Sequence, residues 1–289
     1  MKPRIDPKNP IVKLFDKYYQ SKISAALELT LDLEKSVVPI YHTVKKPYRP
    51  EQIGSGVIVN IHDEFFIFSA SHVFDDIGEN QLLIGLGEGE KILSLAGERY
   101  SSLKGKSGTH LDDPIDASVF HIKDCVTKKI EQRALTIDQL DIEEPDELSI
   151  CIACGFRVKN SNTKNYEIKS KQEVFPSIEI NKDQYSKVGA DTLYHTVMSF
   201  EAYYLREGHV LKSPKPRGIS GGAMFKAYGI NHLPNHNRSI KPYAKLNAIT
   251  ISHKQEKGNQ IGAIVATKVI LHLNLIELAM PGFTGLFDI

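Results

Sequence analysis

Apolar positions change their period once along this chain. Between residues 10 and 35 they recur at helical spacing: Ile11, Leu14, Phe15, Tyr18, Tyr19 and Ile23, then Ala25, Leu27, Leu29 and Leu31. A helix packed on the body of the protein accounts for this pattern, and so does a helix that docks another chain. From Val37 onward, short β-branched and aromatic runs alternate with turn residues. The runs predict strands over 37–44, 54–61, 64–70, 81–87, 91–97, 117–122, 148–156, 173–180, 192–199, 222–228, 245–252 and 261–269. Little helix separates them, which predicts an all-β sandwich or barrel and not a parallel α/β sheet. A last helical pattern covers about 267–279, with Val269, Ile270, Leu273, Ile276 and Leu278. Residues 157–172 and 229–242 are rich in Asn, Ser, Lys and Pro and read as loops. The acidic EEPDE at 143–147 is the candidate boundary between two halves.

The 289 residues are enough to bury a sizeable core without disulfide or metal staples. Lys and Arg number 36 against 35 Asp and Glu, a net charge of +1. That balance gives no support to a nucleic-acid or membrane-surface partner, both of which favour a basic excess. No apolar run approaches the ~20 residues of a membrane span. The first twenty residues carry no secretory pattern, so the expected compartment is the reducing cytoplasm. Of the three cysteines, Cys151 and Cys154 form a CxxC inside an apolar strand. Core thiols account for that spacing; a redox pair or half a zinc site is the alternative. His232 and His236 lie HxxxH in a loop, where a metal site lacks the helix and the further ligands it needs.

Three short segments carry candidate chemistry: GSGVIV at 54–59 with FFIFSASHVF at 65–74, DDPIDASVFHI at 112–122, and RGISGGAMF at 217–225. Together they resemble the trypsin/chymotrypsin-like serine proteases. Ser69-Ala70-Ser71-His72 matches that family's signature around the catalytic His. Asp116-Ala117-Ser118-Val119 matches its catalytic Asp at a strand start, with Asp112 and Asp113 as neighbouring candidates. Gly218-Ile219-Ser220-Gly221-Gly222 matches Gly-x-Ser-Gly-Gly around the nucleophile. The order His72, Asp116, Ser220 is that of the well-known triad. The resemblance covers roughly 37–285, although its motifs occupy only about thirty residues. Gly218-x-Ser-x-Gly222 also fits the nucleophile elbow of α/β-hydrolases. That reading fails because SPKPRG is too Pro-rich for a central strand and AMFKAY reads as strand, not helix.

The resemblance implies two six-stranded antiparallel Greek-key β-barrels with an N-terminal and a C-terminal helix. The segments are then 1–36 for the helical arm, 37–145 for a first barrel with His72 and Asp116, and 146–289 for a second with Ser220 and the C-terminal helix. It implies a serine endopeptidase in which the amides of Gly218 and Ser220 form the oxyanion hole. Pro214 and Lys215 line the primary pocket, and the strand at Thr250, Ile251 and Ser252 pairs with substrate backbone. Lys212, Lys215, Arg217 and His253 cluster near the nucleophile; they favour an acidic cleavage site or form a solvated basic loop. No cofactor and no metal is implied, and the partner is a protein or peptide substrate. Ile219 stands where secreted members carry the Asp that pairs with a new N-terminus, and no Ile-Val-Gly-Gly-like segment is present. The resemblance is therefore to intracellular, bacterial or viral members that fold directly, with a regulatory protein partner as a means of control. A protease-like binding module, shut or inactive, is the alternative.

Overall fold

A computed structural model describes residues 6, 9–45, 48–75, 77, 81–87, 89–124, 126–145, 147–158, 163–164, 167–168, 170–206, 209–230, 241–256 and 261–286. His232 and His236 lie outside the described residues.

Helix α1 (Pro10–Thr30) starts where the sequence places it, because Pro10 presets the first turn and the Asn9 side chain accepts from the Ile11 amide at 2.9 Å. It gives way to a 3₁₀ turn at Leu33–Ser36, so the expected 10–35 helix is one turn shorter. Six strands follow: β1 (Val37–Lys45), β2 (Tyr48–Ile61), β3 (Glu64–Ala70), β4 (Gln81–Ile84), β5 (Leu93–Ser101) and β6 (Ala117–Ile122). They close into an antiparallel barrel in the order β1-β2-β3-β6-β5-β4. A one-turn helix α2 (Ser71–Phe74) leaves the end of β3. The β2–β3 turn is two residues, His62 and Asp63, both with positive φ, as a tight hairpin requires.

The short α3 (Lys128–Glu131) precedes the second half. Its strands are β7 (Ile150–Phe156), β8 (Thr163–Lys164), β9 (Glu167–Ile168), β10 (Gln172–Ser177), β11 (His195–Ser199), β12 (Tyr203–Arg206), β13 (His209–Lys212), β14 (Ala223–Tyr228), β15 (Tyr243–Lys254) and β16 (Ala263–Lys268), followed by helix α4 (Val269–Ala279). Six of them form an antiparallel sheet in the order β10-β7-β14-β15-β16-β11. The chain beyond β10 turns back onto β11: Ile180 N donates to Val197 O, and Ser199 N to Ile178 O, both at 2.9 Å. The two edges of the sheet are thus bridged. The fold is mostly β, as expected, with two six-stranded antiparallel units. The β12–β13 hairpin stands apart as its own two-stranded ribbon and was not among the expected strands.

Strand alternation explains how the units join. On β7, Ile150, Ile152 and Cys154 face the seam between the units, where they meet Val57, Phe66 and Phe68 of the first barrel and Leu273 and Ile276 of α4. Cys151 and Ala153 point the other way, into the interior of the second unit with Met198 and Met224. A strand buried on both faces reads as an unbroken apolar run, which is why LSICIACGF lacks alternation. The CxxC resolves accordingly. Its two thiols lie on opposite faces of one strand, both fully buried and free. Burial pushes the Cys151 thiol up to about 12 and raises that of Cys154 further. These are core residues.

Candidate active site

His72 sits in α2, immediately beyond the strand that β3 contributes to the first barrel. Asp116 stands directly before β6, the neighbour of β3. Pairing of Ala70 with Ala117 brings the two strand ends together. Asp116 then meets His72 twice: Oδ1 accepts from the His72 amide at 2.9 Å, and Oδ2 lies 2.6 Å from Nδ1. The carboxylate therefore fixes both the backbone and the ring, leaving Nε2 as the free nitrogen. Asp116 adopts φ = +49°, a left-handed conformation that Asp tolerates better than most residues. Its side chain is 7% exposed and that of His72 23%. Burial raises the Asp116 carboxyl above the usual carboxylate range, although the hydrogen bond and charge of His72 oppose the shift. Among the described residues, Asp112 and Asp113 do not reach His72. Asp113 accepts from Ser102 Oγ and from the Ile115 amide, and Asp112 accepts from Ser107.

Ser220 lies in a tight turn between two glycines of positive φ, Gly218 at +86° and Gly221 at +80°. A side chain at 221 would stand 2.0 Å from Ser55 O and 2.2 Å from Ser69 Oγ, so only glycine fits there. The turn is stitched to β15: Gly221 N donates to Thr250 O at 2.7 Å, Thr250 N to Gly222 O at 2.8 Å, and Thr250 Oγ1 to Ile219 O at 2.6 Å. It is also stitched to the first barrel, because Ser55 N donates to Ser220 O at 2.8 Å. Gly54 is the meeting point. A Cβ there would lie 2.7 Å from Val73, the residue after His72, and 2.9 Å from Ser220 O. The residue after His72 and the backbone of Ser220 thus meet, from opposite units, on one glycine. The Ser220 hydroxyl donates to Ile251 O at 3.3 Å. Among the described residues, the amides of Gly218 and Ser220 have no acceptor.

A cleft of about 350 Å³ opens beside Ser220. Gly218, Thr250 and Ser252 line it, and so do Arg217, His253 and Gln255. Pro214 and Lys215 do not; both are exposed, and Lys215 O accepts from Arg157 and Arg217. The lining begins with the next residue, Pro216. Beyond Ile249, β15 runs past the end of β14; Ile251 bulges and Ser252–Lys254 keep β16 as their partner, so that among the described residues the other edge of 251–254 has no strand beside it.

Several contacts around the site carry no signal in the sequence. His195 on β11 donates from Nε2 to Pro114 O at 2.7 Å, and Thr267 Oγ1 on β16 donates to Ile115 O at 2.5 Å. The second unit thereby grips the loop that presents Asp116. A second His–Asp pair, His110 Nδ1 with Asp75 Oδ1 at 2.6 Å, ties the same loop to the residue after α2. Hydrogen bonds from His110 hold the Asp75 carboxyl below its usual range although burial opposes this.

No protein-family model matches the sequence, and no curated protein matches it. Many solved structures match the fold. One is neuropsin, described as a serine protease expressed in the limbic system of mouse brain. It superposes with a TM-score of 0.53 over 86% of this chain and 96% of its own, at 13% identity. The likeness is one of fold: the chain has the two-barrel architecture of a trypsin-like serine protease.

Proposed function

We propose that this chain is a serine endopeptidase acting through His72, Asp116 and Ser220. One observation carries the reading: Asp116 orients His72 from one unit while the Gly218–Gly222 turn presents Ser220 from the other, across Gly54, at the mouth of a cleft. A serine hydroxyl is a poor nucleophile alone, and a neighbouring imidazole supplies the base. Ser220 Oγ turns from Ile251 O toward His72 Nε2, attacks the scissile carbonyl carbon and passes its proton to the imidazole. Asp116 steadies the resulting imidazolium. The free amides of Gly218 and Ser220 receive the oxyanion, each such donor being worth on the order of 10²–10³ in rate. The C–N bond then breaks, and the amine leaves with the proton from His72. Water repeats the sequence on the acyl-enzyme, giving its proton to His72 and releasing Ser220. A peptide lying along the open edge of β15 at Ile251 and Ser252 would be held in the required extended form. We assign the enzyme to a reducing, cytoplasmic setting and its substrate to proteins or peptides.

The Ser220 hydroxyl rests on Ile251 O, which favours a second reading: a site held silent until a regulatory partner reshapes it. Fluorophosphonate labelling separates the two. Wild type labels and Ser220→Ala does not, while His72→Ala labels at least ~10³-fold more slowly. Folded wild type that stays unlabelled would overturn the unaided peptidase.

A further inference from the structure

The wall of the cleft beside Ser220 has a consistent charge. Arg217 immediately precedes Gly218, so its side chain stands at the rim of the cleft, exposed and without an ion pair among the described residues. Lys215 lies two residues earlier, also exposed. Arg157, behind them, is already engaged by Glu173 at 2.5 Å. Across the cleft, Ser252 offers a hydroxyl and Gln255 an amide, and no lining residue is a carboxylate. His253 completes the wall. Its ring is set edge-on against Phe200, at 4.8 Å and 84° between planes. Its Nε2 is closed off from solvent and has no hydrogen-bond partner. A buried imidazole nitrogen left without a partner awaits one.

The local field is already legible in that imidazole. Burial lowers the His253 pKa, and the charges of Arg217 and Lys215 lower it further. A field that resists a second cation stabilises an anion in the same place. A guanidinium at the rim, a hydroxyl and an imidazole in the wall, and an amide beyond them form a donor set for a carboxylate.

We propose that this cleft takes an acidic side chain, so that the substrates are peptides with glutamate or aspartate at the residue whose carbonyl Ser220 attacks. The inference rests on the peptidase reading of the same site. Arg217 is the specificity-determining residue, with Ser252 and His253 as the groups that complete the carboxylate's hydrogen bonds. A lysine or arginine side chain would meet Arg217 with no counter-charge in the lining.

The test uses the full chain carrying Ser220→Ala, which cannot turn substrate over, and three N-acetylated tetrapeptides identical except for a final Glu, Gln or Lys. Isothermal titration calorimetry at fixed salt compares them. The Glu peptide is expected to bind about 10–100-fold tighter than the Gln peptide, the range of one charge-assisted hydrogen bond, with Lys weakest. Adding Arg217→Gln should bring Glu and Gln within about threefold of each other, and Arg217→Glu should move Lys ahead of Glu. Equal binding of Glu and Gln, a Lys preference in the unaltered cleft, a Glu preference that survives Arg217→Gln, or no binding of the Glu peptide would each overturn the proposal. Fluorophosphonate labelling of wild type reports separately. Labelling without Glu preference removes the acidic pocket and keeps the peptidase; Glu preference without labelling removes the peptidase and keeps the acid-binding cleft.

Discussion

Asp116 shows the demands that the proposed chemistry places on single residues. It is buried, left-handed and charged, and its reward is the hold on His72. Asn keeps its shape and tolerates the same φ, but it presents an amide where His72 Nδ1 needs an acceptor. Asp116→Asn is therefore expected to slow fluorophosphonate labelling by about 10⁴-fold with the fold intact by circular dichroism. Stability should move the other way. Because burial raises the folded carboxyl above its unfolded value near ~4, the folded state holds that proton more tightly. The stability this proton contributes is present below the unfolded value and is lost as pH rises through the folded one. The melting temperature of Asp116→Asn relative to wild type should accordingly climb from pH 4 to pH 7; a constant difference would refute the buried-charge account. At Gly221, alanine would need both a forbidden φ and a 2.0 Å contact with Ser55 O. We expect Gly221→Ala to cost at least about 1–3 kcal/mol, read from denaturant midpoints. Local sequence carried much of this site, because His72, Asp116 and Ser220 each sit beside their own short signature. The cleft wall was less legible: Arg217 and His253 stood out as basic residues near Ser220, but that Pro216 and Gln255 line the cleft while Pro214 and Lys215 do not depends on how the turn before Ser220 and the end of β15 come together. The His110–Asp75 and His195–Pro114 contacts join residues with no shared pattern.

Elements respond to what they touch. The periodicity of α1 is continuous, yet the helix packs only through its second half. Ile23 and Ala26 are buried, whereas Ile11, Leu14 and Phe15 are 76%, 70% and 68% exposed. Leu14→Asp should leave the midpoint of unfolding within about 0.5 kcal/mol of wild type, and Ala26→Asp, which buries an unpaired charge in the seam, should be severely destabilising. Periodicity reveals a helix face but not how far its cover extends, and nothing in residues 11–18 marks the change. The β12–β13 ribbon escaped sequence reading for a related reason: YYLR and HVLK are short, and Tyr203, Tyr204, Val210 and Leu211 are exposed. Helix α4 is a different case. Its apolar stripe was plain, but not its polar anchor, His272, whose Nε2–H donates to Ser69 O at 3.1 Å three residues before His72. The ring is fully buried and stacks on Phe68 at 5.2 Å, and burial pushes its pKa down from 6.5 to about 4. The unfolded chain therefore binds a proton that the folded chain refuses. The stability this contributes is complete above about pH 6.5 and is lost as pH falls toward 4, on the order of 3 kcal/mol. Replacing the ring by an uncharged donor, His272→Gln, should flatten the acid side of the melting-temperature profile; parallel curves for variant and wild type would count against it.

At the scale of the whole molecule, the two units are interlocked. Helix α1, ahead of the first barrel in sequence, lies against β7, β14 and β15 of the second unit, and α4, at the far end, lies against β5 and β6 of the first as well as β15 and β16. His195 and Thr267 reach across to the loop before Asp116. One continuous core joins both units to both helices. Chemical unfolding should accordingly be a single transition, with far-ultraviolet and tyrosine signals coincident. Residues 37–145 expressed alone should fail to give a dispersed NMR spectrum; a well-dispersed one would show that the first barrel is self-sufficient. The all-β character was legible because strand periods are local, whereas this exchange of helices depends on contacts between opposite ends of the chain. The crossing of α4 has a consequence in time. Synthesis runs from the N-terminus, so both barrels leave the ribosome before the helix that covers the first of them. Until residues 269–279 emerge, the outer surface of β5 and β6 is bare, and the strand end that carries His72 lacks its anchor at Ser69. The first unit, although it comes first in the sequence, therefore completes its packing only after the whole of the second has been made.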